Sequence, residues 1–164
     1  MVAENDDPPL ESRPPVLEDL TRICYELNAR GARYVVVGGM AVIQAGFVRA
    51  TEDIDLLIAS DEDNVARVRD ALMTLPDGAA RDLDLGDPQR YAVVRVADEV
   101  VVDLLTRACG VDYSAASSSV EIVEISGVAI PFATPELLLR MKQTVRDKDR
   151  LDRSFLEHLL ASRK

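Results

Sequence analysis

The segment VVVGGMAVIQAGFVRATEDIDLLIAS, residues 35–60, decides the fold. Its first residues are apolar and β-branched, which favours a buried strand. Gly38 and Gly39 end this strand and open a short apolar stretch that we interpret as a helix. A second apolar strand follows and begins with Asp53 and Asp55, separated by one isoleucine. The segment therefore predicts a strand–turn–helix unit followed by a strand that bears two acids.

The two aspartates have a spacing that matters for chemistry. Residues i and i+2 of a strand face the same side of a sheet, so Asp53 and Asp55 would present their carboxylates side by side. The alternate residues Ile54, Leu56 and Ile58 would then face the core. Two like charges at this distance repel each other, and a divalent cation relieves the repulsion. Magnesium is the usual ion where carboxylates meet phosphates, with manganese as a substitute.

The two glycines suit an anion. Without a Cβ atom, Gly38 and Gly39 let backbone N–H groups come close to a bound phosphate. A helix that begins at this turn adds a favourable field for negative charge. A phosphate-binding turn next to a pair of metal-binding acids is what an enzyme acting on nucleoside triphosphates needs.

A third acid strengthens this interpretation. Asp103 lies within the apolar run VVVDLL, which predicts a buried strand, where an unpaired carboxylate would be costly. If this strand lies beside the strand with Asp53 and Asp55, the three acids could hold two metal ions. Two ions can contact the attacking and the leaving oxygen of an in-line phosphoryl displacement.

The remaining segments predict an α/β (α+β) fold. The order is helix, strand, short helix, strand, helix, then further strands, then C-terminal helices, which indicates a single mixed β-sheet flanked by helices. Gly31 marks the end of the first helix. Ser60 is the predicted N-cap of the helix after the acidic strand, and residues 76–90 are predicted to be a loop.

The second half of the chain contains two predicted hairpins and a well-marked helix start. One hairpin joins the strands on either side of residues 97–98, and the other turns at Ser126 and Gly127. Thr134 is the predicted N-cap of the helix that starts with Pro135. The rest of the chain, to its C-terminus, is predicted to be helical.

Composition limits the domain organisation and the location. The 164 residues are enough for one domain. We expect an acidic, proline-rich flexible tail over residues 1–14 and the folded domain over residues 15–164. No apolar run is long enough to span a membrane, and the N-terminus does not resemble a signal peptide. Cys24 and Cys109 are predicted to be reduced core residues of a cytoplasmic protein.

Charge and histidine content limit the chemistry. The formal net charge is −10, which excludes a broad basic surface for nucleic acid but leaves room for a local basic patch. His158 is the single histidine, and its sequence context predicts an ordinary helix residue. Chemistry that depends on several histidines, including zinc sites of the usual spacing, is therefore not expected.

The stretch GGMAVIQAGFVRATEDIDLLI resembles the signature of the nucleotidyltransferase fold, which is shared with DNA polymerase β. It is most similar to the branch with AbiEii-type nucleotidyltransferase toxins and small bacterial relatives. The resemblance implies that Gly38 and Gly39 hold the triphosphate and that Asp53 and Asp55 bind magnesium. It also implies that Asp103 completes the metal site and helps to deprotonate the acceptor hydroxyl.

The resemblance includes two residues before the acidic pair and one departure. Arg49 and Thr51 match the family pattern, so Arg49 could neutralise the acids or contact phosphate, although a plain surface arginine is an equal alternative. Many family members have Gly-Ser where this chain has Gly38 and Gly39. The hydroxyl contact to phosphate is therefore absent, as it is in AbiEii-like relatives.

The segment LLLRMKQTVRDKDRLD is similar to the family pattern K-x-x-x-R-x-K-D-x-x-D. The pattern points to Lys142 and Arg146 as ligands of the triphosphate or of the leaving pyrophosphate. Their i, i+4 spacing brings two positive charges together, which favours an anion between them. The alternative is a structural ion pair between Lys142 and Asp149 or Asp152 that links two helices.

The resemblance implies a magnesium-dependent enzyme that transfers a nucleoside monophosphate from an NTP to an acceptor hydroxyl and releases pyrophosphate. The acceptor stays open between tRNA, a small molecule such as an antibiotic, and a partner protein. The toxin-like pattern at the C-terminus favours a toxin–antitoxin enzyme that acts on tRNA, with an antitoxin as partner. Two alternatives are an inactive nucleotide-binding regulatory module and a domain whose acids are all structural.

Overall fold

The computed structural model describes residues 11–143 and 147–163, except for the side chain of Lys148. The predicted fold class is confirmed, because six strands form one mixed sheet with helices against it. The strands are Tyr34–Val37 (β1), Asp53–Ile58 (β2), Val93–Ala97 (β3), Val101–Leu105 (β4), Arg107–Ala108 (β5), Val111–Asp112 (β6), Val120–Ile125 (β7) and Val128–Ala133 (β8). The helices are Leu17–Ala29 (α1), Gly38–Gln44 (α2), Glu62–Leu72 (α3), Asp87–Arg90 (α4), Tyr113–Ala116 (α5), Pro135–Met141 (α6) and Asp147–Ser162 (α7).

The order of strands in the large sheet is β3–β4–β2–β1–β8–β7, and β5 and β6 form a separate hairpin. The central strand β2 runs antiparallel to β1 and parallel to β4. Strands β3 and β4 pair as one hairpin at the first edge, and β7 and β8 pair as the other. The centre of the sheet therefore brings the end of β1 next to the acidic residues of β2 and β4.

Helix α1 forms where the apolar spacing predicts it. Leu20, Ile23 and Leu27 are buried at helical spacing and pack into the core, which explains why this face holds the helix on the sheet. The backbone at Gly31 has φ = +65°, a left-handed conformation that glycine adopts without strain. The predicted stop at Gly31 is therefore confirmed, since α1 ends two residues before it.

The N-cap prediction for helix α3 is wrong by one residue. Asp61, not Ser60, is the N-cap, and its carboxylate accepts a hydrogen bond from the backbone N–H of Asn64 at 3.1 Å. Ser60 precedes the cap and lies one residue too far away for that bond. The prediction of a loop over residues 76–90 is wrong in part, because this segment contains a 3₁₀ turn at Ala79–Asp82 and the short helix α4.

The helix start and the second hairpin predicted in the second half of the chain are confirmed, but the turn of the first hairpin is not at residues 97–98, because Ala97 pairs with Val101 and residues 98–100 form the turn. The hydroxyl of Thr134 accepts a hydrogen bond from the N–H of Leu137, and Pro135 opens helix α6. The β7–β8 hairpin turns at Ser126 and Gly127, which both have positive φ. Such a turn matches the twist of the two strands that it connects.

The N-terminal residues within the described part contact the body of the domain. The hydroxyl of Ser12 donates a hydrogen bond to the carbonyl of Asp98 at 2.6 Å, and the guanidinium of Arg13 binds the Asp19 carboxylate. This charge-assisted contact lowers the pKa of Asp19. Residues 1–10 of the predicted tail lie outside the described residues.

The cysteine prediction holds for one residue and is wrong for the other. Cys24 is buried in α1, and burial raises the pKa of its thiol to about 12. Cys109 is exposed in the turn between β5 and β6, where its φ is +48°. Apolar neighbours in sequence suggested burial, but Cys109 lies in the turn that joins two short strands, where its Sγ donates to the backbone carbonyl of Met141 at 3.3 Å. His158 lies in α7 as predicted.

None of the helices in the described ranges is long and apolar enough to cross a membrane.

Candidate active site

The three predicted acids meet at the centre of the sheet. Strands β2 and β4 run parallel in a register that places Asp55 opposite Asp103. Asp53 lies two residues before Asp55 on the same face of β2. Each of the three residues offers a carboxylate oxygen, and these oxygens all lie within 4.8 Å of one another. We call Asp53, Asp55 and Asp103 the acidic triad.

Arg95, which no sequence pattern indicated as a site residue, binds the triad directly. The guanidinium donates from Nε to Oδ1 of Asp103 at 2.9 Å and from Nη2 to Oδ2 of the same carboxylate at 3.0 Å. Nη2 also lies 3.6 Å from Oδ2 of Asp53. The hydrogen bonds and negative charge of Asp103, with smaller contributions from the other two acids, raise the pKa of Arg95.

The hairpin signal alone would not have located Arg95, because the turn of the β3–β4 hairpin is longer than predicted. Arg95 and Asp103 lie at equal distances from the β3–β4 turn, and the antiparallel register places them opposite each other. A single arginine within an apolar strand that faces an acid on the next strand is a charged cross-strand pair. The predicted two-residue turn at residues 97–98 would instead have placed Arg95 opposite Val100, so the sequence indicated the hairpin but not this contact.

The glycine turn lies against the triad. Gly38 has φ = +65°, and a Cβ atom on this residue would lie 1.9 Å from Oδ2 of Asp55. The site therefore needs glycine here for two reasons, the left-handed backbone and the space. Gly39 follows in α2, where a Cβ atom would lie 2.5 Å from the Oγ1 of Thr51.

Arg49 and Thr51 cover Gly39 from the loop between α2 and β2. The hydroxyl of Thr51 donates to the carbonyl of Asp53 at 3.1 Å, which fixes the start of the acidic strand. The guanidinium of Arg49 donates from Nη2 to the buried carboxylate of Asp152 at 3.0 Å. Nε of Arg49 is also 3.0 Å from Oδ1 of Asp152, an ion-pair distance without hydrogen-bond alignment.

Lys142 is buried between helices α6 and α7. Its Nζ lies 3.1 Å from Oδ1 of Asp149 and 3.1 Å from Oδ2 of Asp152. The structure therefore contains the predicted alternative, a structural ion pair that links two helices. Arg146, the other predicted basic ligand, lies outside the described residues. We call Arg49, Lys142, Asp149 and Asp152 the ion-pair network.

The triad and Lys142 line one cleft with a volume of about 190 Å³. Its walls combine the acids and Arg95 with apolar side chains from the surrounding strands and helix. The lining residues are Val37, Gly38, Asp53, Asp55, Val93, Arg95, Asp103, Leu105, Ala108, Leu138, Met141 and Lys142. Of the nucleotide-binding residues predicted from the sequence, Gly38 and Lys142 belong to this lining, while Gly39, Arg49 and Thr51 lie outside it and contact one another.

The donor set fits a hard divalent cation. Three carboxylates offer oxygen ligands at one point, and magnesium and manganese take such ligands. Asp103 is buried, with 5% of its surface exposed, so its charge needs a positive partner. In the structure Arg95 provides that partner.

Two solved structures share this fold. A candidate nucleotidyltransferase from Thermotoga maritima matches with a TM-score of 0.53 and 15% identity over 90% of this chain and 93% of its own. An antigenic nucleotidyltransferase-like protein from Paracoccidioides brasiliensis matches with a TM-score of 0.54 and 18% identity, over 89% and 76% of the two chains. At this identity the matches show the fold alone. A comparison with curated proteins gives no match.

One family model covers almost the whole domain. It is described as nucleotidyl transferase of unknown function (DUF2204), and it matches residues 16–161. The match includes the glycine turn, the triad and the ion-pair network. The chain therefore belongs to this family of nucleotidyl transferases.

Proposed function

We propose that the chain is a magnesium-dependent nucleotidyltransferase that transfers a nucleoside monophosphate from an NTP to an acceptor hydroxyl. The observation that carries the proposal is the convergence of the acidic triad beside Gly38 in one cleft. Acids alone are common on protein surfaces. Here they lie on neighbouring central strands, against a glycine turn without room for a side chain, in a chain of a nucleotidyl transferase family.

The reaction exchanges one phosphorus–oxygen bond for another. The acceptor oxygen forms a bond to the α-phosphorus, the bond from that phosphorus to the bridging oxygen breaks, and pyrophosphate leaves. A divalent cation, when bound by the triad, neutralises charge on the phosphates and polarises the reacting group. We assign the acceptor proton to the carboxylate of Asp103, which stands in the cleft wall and is held by Arg95.

The remaining residues bind and orient. The backbone at Gly38 lies open to the cleft, so we propose that it contacts the triphosphate together with Gly39. Lys142 lines the same cleft, and we propose that its ammonium attracts phosphate while Asp149 and Asp152 hold it in place. We assign Arg49 and Thr51 to shaping this turn, because both pack over Gly39.

We propose that the acceptor is tRNA and that the enzyme is the toxin of a cytoplasmic toxin–antitoxin system, with an antitoxin as its partner. The AbiEii-like sequence pattern around Lys142 supports this proposal. The alternative is a small cationic acceptor such as an aminoglycoside. The net charge of −10 and the acidic cleft favour that alternative, since a positive acceptor would be attracted and a long nucleic acid repelled.

The first test is calorimetric binding of each NTP with and without magnesium. Wild type is expected to bind one NTP in a magnesium-dependent manner, and Asp53→Asn/Asp55→Asn is expected to lose this binding. Glu121→Gln/Glu124→Gln is the matched control, since it also removes two negative charges. Both glutamates are exposed on β7, the edge strand at the other end of the sheet from β3. Equal NTP binding by both double variants would contradict the proposed site.

A further inference from the structure

Arg95 approaches the triad from the edge of the sheet. Strand β3 is the edge strand next to β4, and its register places Arg95 directly opposite Asp103. The side chain of Arg95 is 60% exposed, whereas that of Asp103 is only 8% exposed. The carboxylate is therefore fixed in the cleft wall, while the guanidinium reaches it from the solvent side.

The contact uses both oxygens of Asp103. Nε binds Oδ1 and Nη2 binds Oδ2, a two-bond geometry in which a planar guanidinium matches a carboxylate. Nη2 is also within 3.6 Å of Asp53, so the positive charge lies between two members of the triad. A cation that binds an oxygen of Asp103 would therefore compete with the Arg95 guanidinium for the same carboxylate.

Electrostatic repulsion opposes simultaneous binding of the Arg95 guanidinium and a divalent metal ion at the triad. The triad carries three carboxylates, and Arg95 contributes one positive charge to them. A divalent ion would bring two positive charges to within a few ångströms of the guanidinium, and like charges at such distances repel strongly. Because Arg95 is exposed and lies on an edge strand, its side chain can turn toward solvent without breaking the pairing of β3 with β4.

We infer that Arg95 is a positioning residue that holds Asp103 in the metal-free site and that must be displaced before Asp103 can ligate a divalent ion. Arg95 therefore weakens metal binding in the absence of nucleotide. This inference rests on the proposed metal site of the triad. It implies that removal of the positive side chain of Arg95 increases the affinity of the triad for a divalent ion.

The test is a manganese titration of the nucleotide-free protein, followed by the electron paramagnetic resonance signal of free Mn²⁺. Arg95→Gln is expected to bind Mn²⁺ about tenfold more tightly than wild type, which corresponds to about 1.4 kcal/mol. Arg90→Gln is the matched control, because it removes the same charge from an exposed arginine of α4 and leaves the triad contacts intact. Asp53→Asn/Asp55→Asn defines binding elsewhere on the protein.

The outcomes separate the inference from the proposed function. Equal Mn²⁺ affinity of Arg95→Gln and wild type, with binding that the double Asp variant loses, overturns the inference alone. An equal gain in Arg90→Gln also overturns it, since the effect would then be one of net charge. Absence of Mn²⁺ binding in wild type and in Arg95→Gln overturns the inference and the proposed metal site together.

A second test uses NMR of the wild-type protein and therefore does not require that a variant folds. The Nε–H of Arg95 donates to Asp103, so its ¹⁵N NMR signal is expected to be protected from exchange with water. Addition of Mg²⁺ is expected to broaden this signal as the guanidinium leaves the carboxylate. A protected signal that persists at saturating Mg²⁺ would overturn the inference.

Discussion

Oδ2 of Asp55 occupies the space that a side chain on Gly38 would need, because a Cβ atom there would lie 1.9 Å from this oxygen. The glycine turn and the acidic strand are therefore one unit, in which the end of β1 leaves room for the carboxylates of β2. The antiparallel register of β1 and β2 brings Val37 opposite Asp55 and fixes the contact.

Gly38→Ala is expected to displace the Asp55 carboxylate and to abolish Mn²⁺ binding by the triad. The variant also forces an alanine into a backbone with φ = +65°, which costs about 1–2 kcal/mol of stability. Denaturant unfolding measures the free energy of unfolding, and the manganese titration measures the site.

Gly127→Ala is the matched control for this prediction. Gly127 has φ = +79°, and a Cβ atom there would meet nothing within 4 Å, so the control carries the backbone strain without the clash. Both variants are expected to lose similar stability from strain, but only Gly38→Ala is expected to lose Mn²⁺ binding as well. Normal Mn²⁺ binding by Gly38→Ala would show that Asp55 can move without harm to the site.

Gly39→Ser is expected to destabilise the protein by about 1–3 kcal/mol, because a new Cβ atom would lie 2.5 Å from the hydroxyl of Thr51 and 3.0 Å from Arg49. This contact gives a physical reason for a glycine at position 39. Thr51→Gly removes the opposing atoms, so the double variant is expected to recover part of the loss. Strictly additive unfolding free energies in the double-mutant cycle would contradict this packing.

The residues of the triad could be predicted because their positions follow from local rules. The two-residue period of a strand places Asp53 and Asp55 on one face, and the β3–β4 hairpin fixes where Asp103 falls. The Arg95 contact could not be counted from the predicted turn, because the turn spans residues 98–100 and shifts the pairing by three positions. The meeting of Asp103 with the other two acids depends in addition on the parallel pairing of β2 with β4, which the sequence left as a condition.

The ion-pair network could not be resolved from the sequence in the same way. Lys142 and Arg49 both bind Asp152, although Arg49 precedes this residue by 103 positions in the chain. Their meeting depends on how α7 packs against α6 and against the loop before β2. The i, i+4 spacing of Lys142 and Arg146 suggested an anion between them, but the sequence left open whether a ligand or an acid faces Lys142.

Lys142→Met is expected to lower the free energy of unfolding by about 3–5 kcal/mol, because it removes one partner of a buried ion pair with Asp149 and Asp152. Arg150→Met is the control, since the ion pair of Arg150 with Asp147 is largely exposed and contributes little. A Lys142→Met variant of wild-type stability that loses only NTP binding would assign Lys142 to the ligand and not to the network.

Asp98 supplies a prediction about acid stability. Its side chain is buried, with 2% exposed, at the β3–β4 turn. Burial by itself raises the pKa of this carboxyl, but backbone N–H donors from Ala79, Asp77 and Glu99 outweigh it, and the pKa is lowered. Asp98→Asn is therefore expected to cost about 1–3 kcal/mol at neutral pH, because an amide offers one acceptor oxygen to three donors.

The sign of the pH dependence follows from the lowered pKa. The contribution of Asp98 is complete above the pKa of an unfolded aspartate, about 3.9, and is lost as the pH falls through the lower pKa of the folded state. Below that value the wild-type carboxyl is protonated and resembles the amide. The stability gap between wild type and Asp98→Asn, measured by denaturant unfolding, is therefore expected to narrow as the pH decreases below about 4. A gap of constant size down to the lowest pH at which both proteins fold would mean that the lost hydrogen-bond geometry, and not the charge of Asp98, stabilises this turn.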